Sequence, residues 1–116
     1  MKEKITSAII FSLVIIAVTA NTVFVQKKLT SIGNSLDNAR LPDEIEQTYN
    51  IFKKNEMLFG LSVSHEDLTD VSEGFVELIS YLEVGDSDSA EVAKNRLKYL
   101  IEHLRRLSGV NIESII

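Results

Sequence analysis

The chain has no cysteine and no tryptophan, one proline and five glycines. Without cysteine there is no disulfide framework and no thiolate zinc site. With so few prolines and glycines, long stretches contain nothing that interrupts a helix. No segment alternates apolar and polar residues long enough for a strand. Nothing repeats at a solenoid period, and nothing is low in complexity. Positive charge is scarce: 12 Lys and Arg stand against 17 Asp and Glu, a formal net charge of -5, with the acids concentrated after Pro42. Phosphate backbones require clustered cations, so nucleic acid is not an expected partner.

What is present is a nearly charge-free apolar run, Ile5 to Val25. Its roughly 21 residues make a helix of about 31 Å, the thickness of a bilayer's hydrocarbon core. Three readings compete. An uncleaved signal anchor fits the cationic flanks, Lys2 and Lys4 before the run and Lys27 and Lys28 after it. A cleaved signal peptide fits the small residues of Val18-Thr19-Ala20, although Val23, Phe24 and Val25 prolong the run past that point. A buried core helix would need apolar partners on every side, which so small a domain lacks. The anchor is the expected reading, with residues 1–28 as the transmembrane helix and 29–116 as one helical domain. Cations are nearly balanced across the run. A short basic segment before a first apolar helix usually stays in the cytoplasm, so the bulk of the chain is expected outside the cell membrane.

Helical spacing continues through Leu29, Ile32 and Leu36, until Arg40-Leu41-Pro42 ends it. Pro42 opens a second helix with the stripe Ile45, Tyr49, Phe52 and then Met57 or Phe59; Gly60 closes it. Ser64 to Asp67 has the form of a capping box. It leads into a core face of Leu68, Val71, Phe75, Leu78, Ile79 and Leu82, in which Gly74 reads as merely tolerated. After a turn at Gly85, Asp88 is the expected N-cap of a last helix, with Ala90, Ala93, Leu97, Leu100, Ile101, Leu104 and Leu107 inward and Lys94 mostly in solvent. Ser108-Gly109 is its expected stop, with Asn111 capping a further turn. The fold class is all-α: an N-terminal transmembrane helix feeding a small antiparallel three- or four-helix bundle.

From Phe59 onward a distinctive order appears. His65-Glu66 opens a helix, and Leu78, Leu82 and an acidic turn follow. A leucine-rich helix then holds Tyr99-Leu100-Ile101-Glu102-His103-Leu104, and Asn111-Ile112 comes last. Together with the single apolar segment, the chain resembles the small bacterial family catalogued as domain of unknown function family 4363. The resemblance implies a single-pass, membrane-anchored helical protein and carries no activity with it. Phe52 stands where that family's pattern has a tryptophan.

Three constellations could carry chemistry. His65 and His103 lie about 20 and 18 residues on either side of the turn and so reach one end of the hairpin. The helical i, i+4 ligand pair is missing, so the expectation is that His65 serves the helix start and His103 packs or pairs with an acid near its helix end, with no metal between them. A divalent metal site and a pH-sensing histidine pair are the alternatives. Asp86-Ser87-Asp88 with Glu91 lacks the spacing of a calcium loop and reads as a turn. Ile112, Ile115 and Ile116 either fold back over Leu104 and Leu107 or form a partner surface. No nucleophile-base order and no glycine-rich phosphate loop is present, so neither enzyme activity nor a cofactor is expected. The expected function is that of a membrane-anchored extracytoplasmic interaction or structural protein. Its partners are the bilayer, through residues 5–25, and another envelope or membrane protein. The alternatives are an extracytoplasmic ligand-binding or sensor bundle acting through a membrane partner, or a secreted helical protein cleaved near Ala20.

Overall fold

The computed structural model describes residues 2–115, with side chains described through residue 108. They form five helices in the order α1 Lys2–Asn38, α2 Pro42–Lys54, α3 Glu56–Phe59, α4 His65–Glu83 and α5 Ser87–Ile115, and no strand.

At 37 residues α1 spans about 55 Å, close to the 68 Å long axis of the molecule. It ends where Pro42 forces its neighbour out of the α region: Leu41 is extended, with φ −102° and ψ 152°. Pro42 then sits in the first turn of α2, where its missing N–H leaves no bond unmade. Glu44 reaches back to accept the backbone N–H groups of Leu41 at 3.0 Å and Arg40 at 3.2 Å. Leu41 offers no side-chain acceptor in return, so the cap is one-sided. Those two N–H groups hold the Glu44 carboxyl below its ordinary 4.5.

The second helix does not run on to Gly60. It breaks at Asn55, whose side-chain amide donates to the Ile51 carbonyl at 2.8 Å, and restarts as α3. The break turns Phe59 into the core and leaves Met57 in solvent. Ser64 caps α4 by accepting the Asp67 N–H at 3.2 Å, and its hydroxyl donates to the Asp67 carboxylate at 2.7 Å.

Between α4 and α5 the chain reverses in three residues. Gly85 has φ +77°, a conformation that a Cβ would strain. Its N–H donates to the Leu82 carbonyl and that of Asp86 to the Tyr81 carbonyl, which together make a Schellman ending. Asp86 also caps the next helix, accepting the Ser89 N–H at 3.1 Å. The N-cap of α5 is therefore Asp86, not Asp88, because the left-handed glycine delivers Asp86 directly into that position. Nor does α5 stop at Ser108-Gly109; it continues to Ile115. A glycine costs about 1 kcal/mol within a helix but ends it only when the chain turns left-handed there.

Paired contacts fix the packing directions. Gly33 faces Ile101 while Asp37 pairs with Lys98, so α1 and α5 run antiparallel. Gly74 faces Leu97 and Glu77 faces Arg96, so α4 and α5 do too. Tyr49 stacks on Phe75 at 5.1 Å and Phe52 meets it tilted at 5.8 Å, joining α2 to α4. Phe59 of α3 closes this ring cluster at 5.5 Å from Phe52. The core reaches back along α1 through Leu36, Ile32, Leu29 and Val25 to Thr22. Gly74 is more than tolerated: a Cβ there would stand 3.0 Å from Leu97 Cδ1, so its absence lets α4 and α5 approach closely.

Candidate functional site

The feature that sets this molecule apart is the division of α1 into two halves. From Thr22 to Leu36 it carries a buried stripe and forms one wall of the bundle. Before Asn21 it carries no buried side chain: Ile5, Ile9, Ile10, Phe11, Leu13, Val14 and Ile16 are all exposed, and Ile15 and Val18, on the face that continues into Thr22 and Val25, are half-buried. It is one helix long and apolar enough to cross a membrane. No helix breaker separates the halves, so the exposed part is rigidly continuous with the domain.

The junction is marked by a polar contact that the sequence did not reveal. The Asn21 side-chain amide donates to Ser62 Oγ at 3.0 Å, tying α1 to the loop after α3. Thr22 is buried and returns its hydroxyl to the Val18 carbonyl at 3.0 Å, within its own helix. The boundary between exposed run and packed core thus falls at Asn21–Thr22, inside the apolar run, and not at Lys28.

At the opposite end, Lys94 does not point into solvent. Its ammonium donates to the Ala39 carbonyl at 2.8 Å and approaches the Asp37 carbonyl at 3.4 Å, neutralising the negative end of α1. Partial burial, and then the nearby Arg40 charge, lower its pKa. Asp37 is held below its ordinary 3.8 chiefly by its hydrogen bond with Lys98. Beside these groups lies a hollow of about 270 Å³ with Arg40, Ser87, Glu91 and Lys94 at its rim and Ile45, Leu78 and Leu82 in its wall.

The histidines are placed less suggestively. His65 is exposed in the first turn of α4, where its carbonyl accepts from Thr69 Oγ1 at 2.9 Å. His103 is half-buried on α5, its ring nearly parallel to that of Tyr99 with centroids 6.3 Å apart. The α4–α5 register brings both toward one end of the hairpin. Among the described residues no group of three or more His, Cys, Asp or Glu is disposed to hold a metal ion. The Asp86 turn is occupied by capping, which lowers the Asp86 pKa through its bonds to Ser89. The side chains of Ile112, Ile115 and Ile116, read from sequence as a candidate partner surface, lie outside the described residues.

No family model matches this chain, and neither the curated proteins nor the solved structures include a match.

Proposed function

We propose that the protein is a single-pass membrane protein whose bundle, outside the cytoplasm, acts as an interaction or structural module for another envelope protein. Membership of family 4363 belongs to the same proposal. One observation carries the reading: half of α1 leaves most of its apolar side chains exposed and none buried, and the other half is built into a folded bundle. Leaving about seven large apolar side chains in water would cost roughly 1.5–3 kcal/mol each, and a bilayer removes that cost. The Ala20–Asn21 bond lies within unbroken helix, and the next two residues are tied into the bundle. This favours an anchor over a leader cleaved there. Every buried side-chain N or O among the described residues has a hydrogen-bond partner, which suits a structural core.

A second reading, a ligand-binding or sensor bundle acting through a membrane partner, draws on the hollow beside Arg40 and Lys94.

The test uses the absence of cysteine. Val84→Cys places one thiol on the turn farthest from the anchor, where the native side chain is 78% exposed. Labelling of intact cells by an impermeant maleimide is the expected result; labelling only after lysis would reverse the orientation. Recovery of a mature species beginning at Asn21 would remove the anchor. Photocrosslinking in native membranes should yield a defined protein adduct, and its absence would count against an interaction role.

A further inference from the structure

We infer that the bundle does not stand off the bilayer on its anchor but is seated in it, with the α3 loop inserted into the interfacial layer beside α1. This deepens the anchor reading and rests on it.

The first argument is length. The part of α1 without a buried side chain, residues 5–20, rises only about 24 Å, whereas the hydrocarbon core is about 30 Å thick. The shortfall of about 6 Å is made up by the next turn of α1, where Val23 and Phe24 remain exposed. That turn is already at the level of the bundle: Asn21 bonds Ser62, and the neighbouring Thr22 and Val25 are core. Once Val23 and Phe24 reach the acyl boundary, the loop bonded to Asn21 reaches it too.

The second argument is what that loop presents. Met57 is 85% exposed and Leu61 72%, with Leu58 beside them, although Phe59 and Val63 of the same segment are buried. The break at Asn55 is what turns these side chains outward. In water this base would be an unpartnered apolar rim; at the interface it continues the apolar surface of α1. Lys27 and Lys28 follow about one turn above Val23 and Phe24, and Lys53 and Lys54 end α2 just before the loop. Cations at that height face lipid phosphates. Two anchoring points, helix and loop, would fix the tilt and rotation of the bundle relative to the membrane, which a lone helix leaves free.

The chain has no tryptophan, so single-tryptophan variants report one position each. Full-length Phe11→Trp, Met57→Trp, Leu61→Trp and Val84→Trp are reconstituted into phosphatidylcholine–phosphatidylglycerol vesicles containing lipids brominated at defined acyl depths. Both loop positions are exposed, so neither substitution disturbs the core. The expected result has three parts. Phe11→Trp is quenched by deep bromines. Met57→Trp and Leu61→Trp are blue-shifted and quenched best by shallow ones. Val84→Trp keeps water-like emission and full intensity. Loop tryptophans that behave like Val84→Trp while Phe11→Trp is quenched would overturn the seating and leave the anchor intact. An unquenched Phe11→Trp would bring down the anchor reading itself. A blue shift at the loop without bromine quenching, growing with protein-to-lipid ratio, would assign the rim to a second copy and refute its burial in lipid.

Discussion

Two glycines on helix faces make opposite predictions at the scale of single residues. At Gly33 an added Cβ would meet Ile101 Cγ2 at 3.9 Å, an ordinary contact, so Gly33→Ala gains helix propensity with nothing displaced. It should stabilise the bundle by up to about 1 kcal/mol. At Gly74 the same methyl would stand 3.0 Å from a Leu97 side chain that is itself fully buried. Overpacking of about 1–3 kcal/mol there outweighs the propensity gain. Gly74→Ala should therefore lower the urea midpoint while Gly33→Ala raises it. Equal shifts of one sign would show that the α4–α5 approach is not limited by this contact. Both residues look alike in sequence, as interruptions of a helical pattern. Only the distance to the next helix separates them.

At the scale of the element, α1 sets where the autonomous domain begins. A fragment starting at Leu29 has the apolar pattern of a complete bundle, yet it omits Val25 and Thr22, both buried in the core. Losing a fully buried valine alone forfeits about 1.5–3 kcal/mol, a large share of the stability of so small a domain. A fragment beginning at Asn21 should melt cooperatively, and one beginning at Leu29 should melt several degrees lower, by circular dichroism. Identical melting temperatures would place the true core boundary after Val25. The other helices follow their sequence signals more closely. Proline placement, serine capping and the leucine spacing of α4 and α5 act within one or two turns, so a reader of the chain can see them. The break at Asn55 and the passage of α5 through Gly109 had no such signal, because neither asparagine nor glycine compels one outcome.

Across the whole molecule, four carboxylates share one electrostatic direction. Asp37 is held down by Lys98, Glu44 by the Arg40 and Leu41 N–H groups, Asp86 by Ser89 and Glu102 by Arg105. Each binds its proton less readily folded than unfolded, so as pH falls the unfolded chain takes up protons first. Their stabilisation is therefore complete above the ordinary values of 3.8 and 4.5 and is lost as pH falls through and below that range. The Asn21-start fragment should hold a constant urea midpoint from neutrality down to about pH 5 and then decline. Asp37, Glu44 and Asp86 are exposed and Glu102 is half-buried, so the decline should be modest. Salt should weaken the Asp37 and Glu102 contributions more than those made to backbone N–H groups. A midpoint that rose on acidification would contradict these assignments.

Sequence alone determined the helical class, the apolar run, the turn at Gly85 and most inward faces, because each depends on spacing or on a residue with few conformational options. Phe75, Leu97 and Leu104 needed no tertiary information to be assigned to the core. What only the tertiary structure decided concerns residues with two acceptable environments. Thr22 and Val25 suit lipid and protein core equally, and it is the arrival of Ser62 opposite Asn21 that gives them to the bundle. Met57 and Phe59 both continue an apolar stripe, and the break at Asn55 sends one outward and one inward. Lys94 reads as a surface cation until the end of α1 is packed beside it, offering carbonyls with no helical partner. Hydropathy records what a side chain tolerates. Which of the tolerated neighbours it meets is set by contacts tens of residues away in the chain.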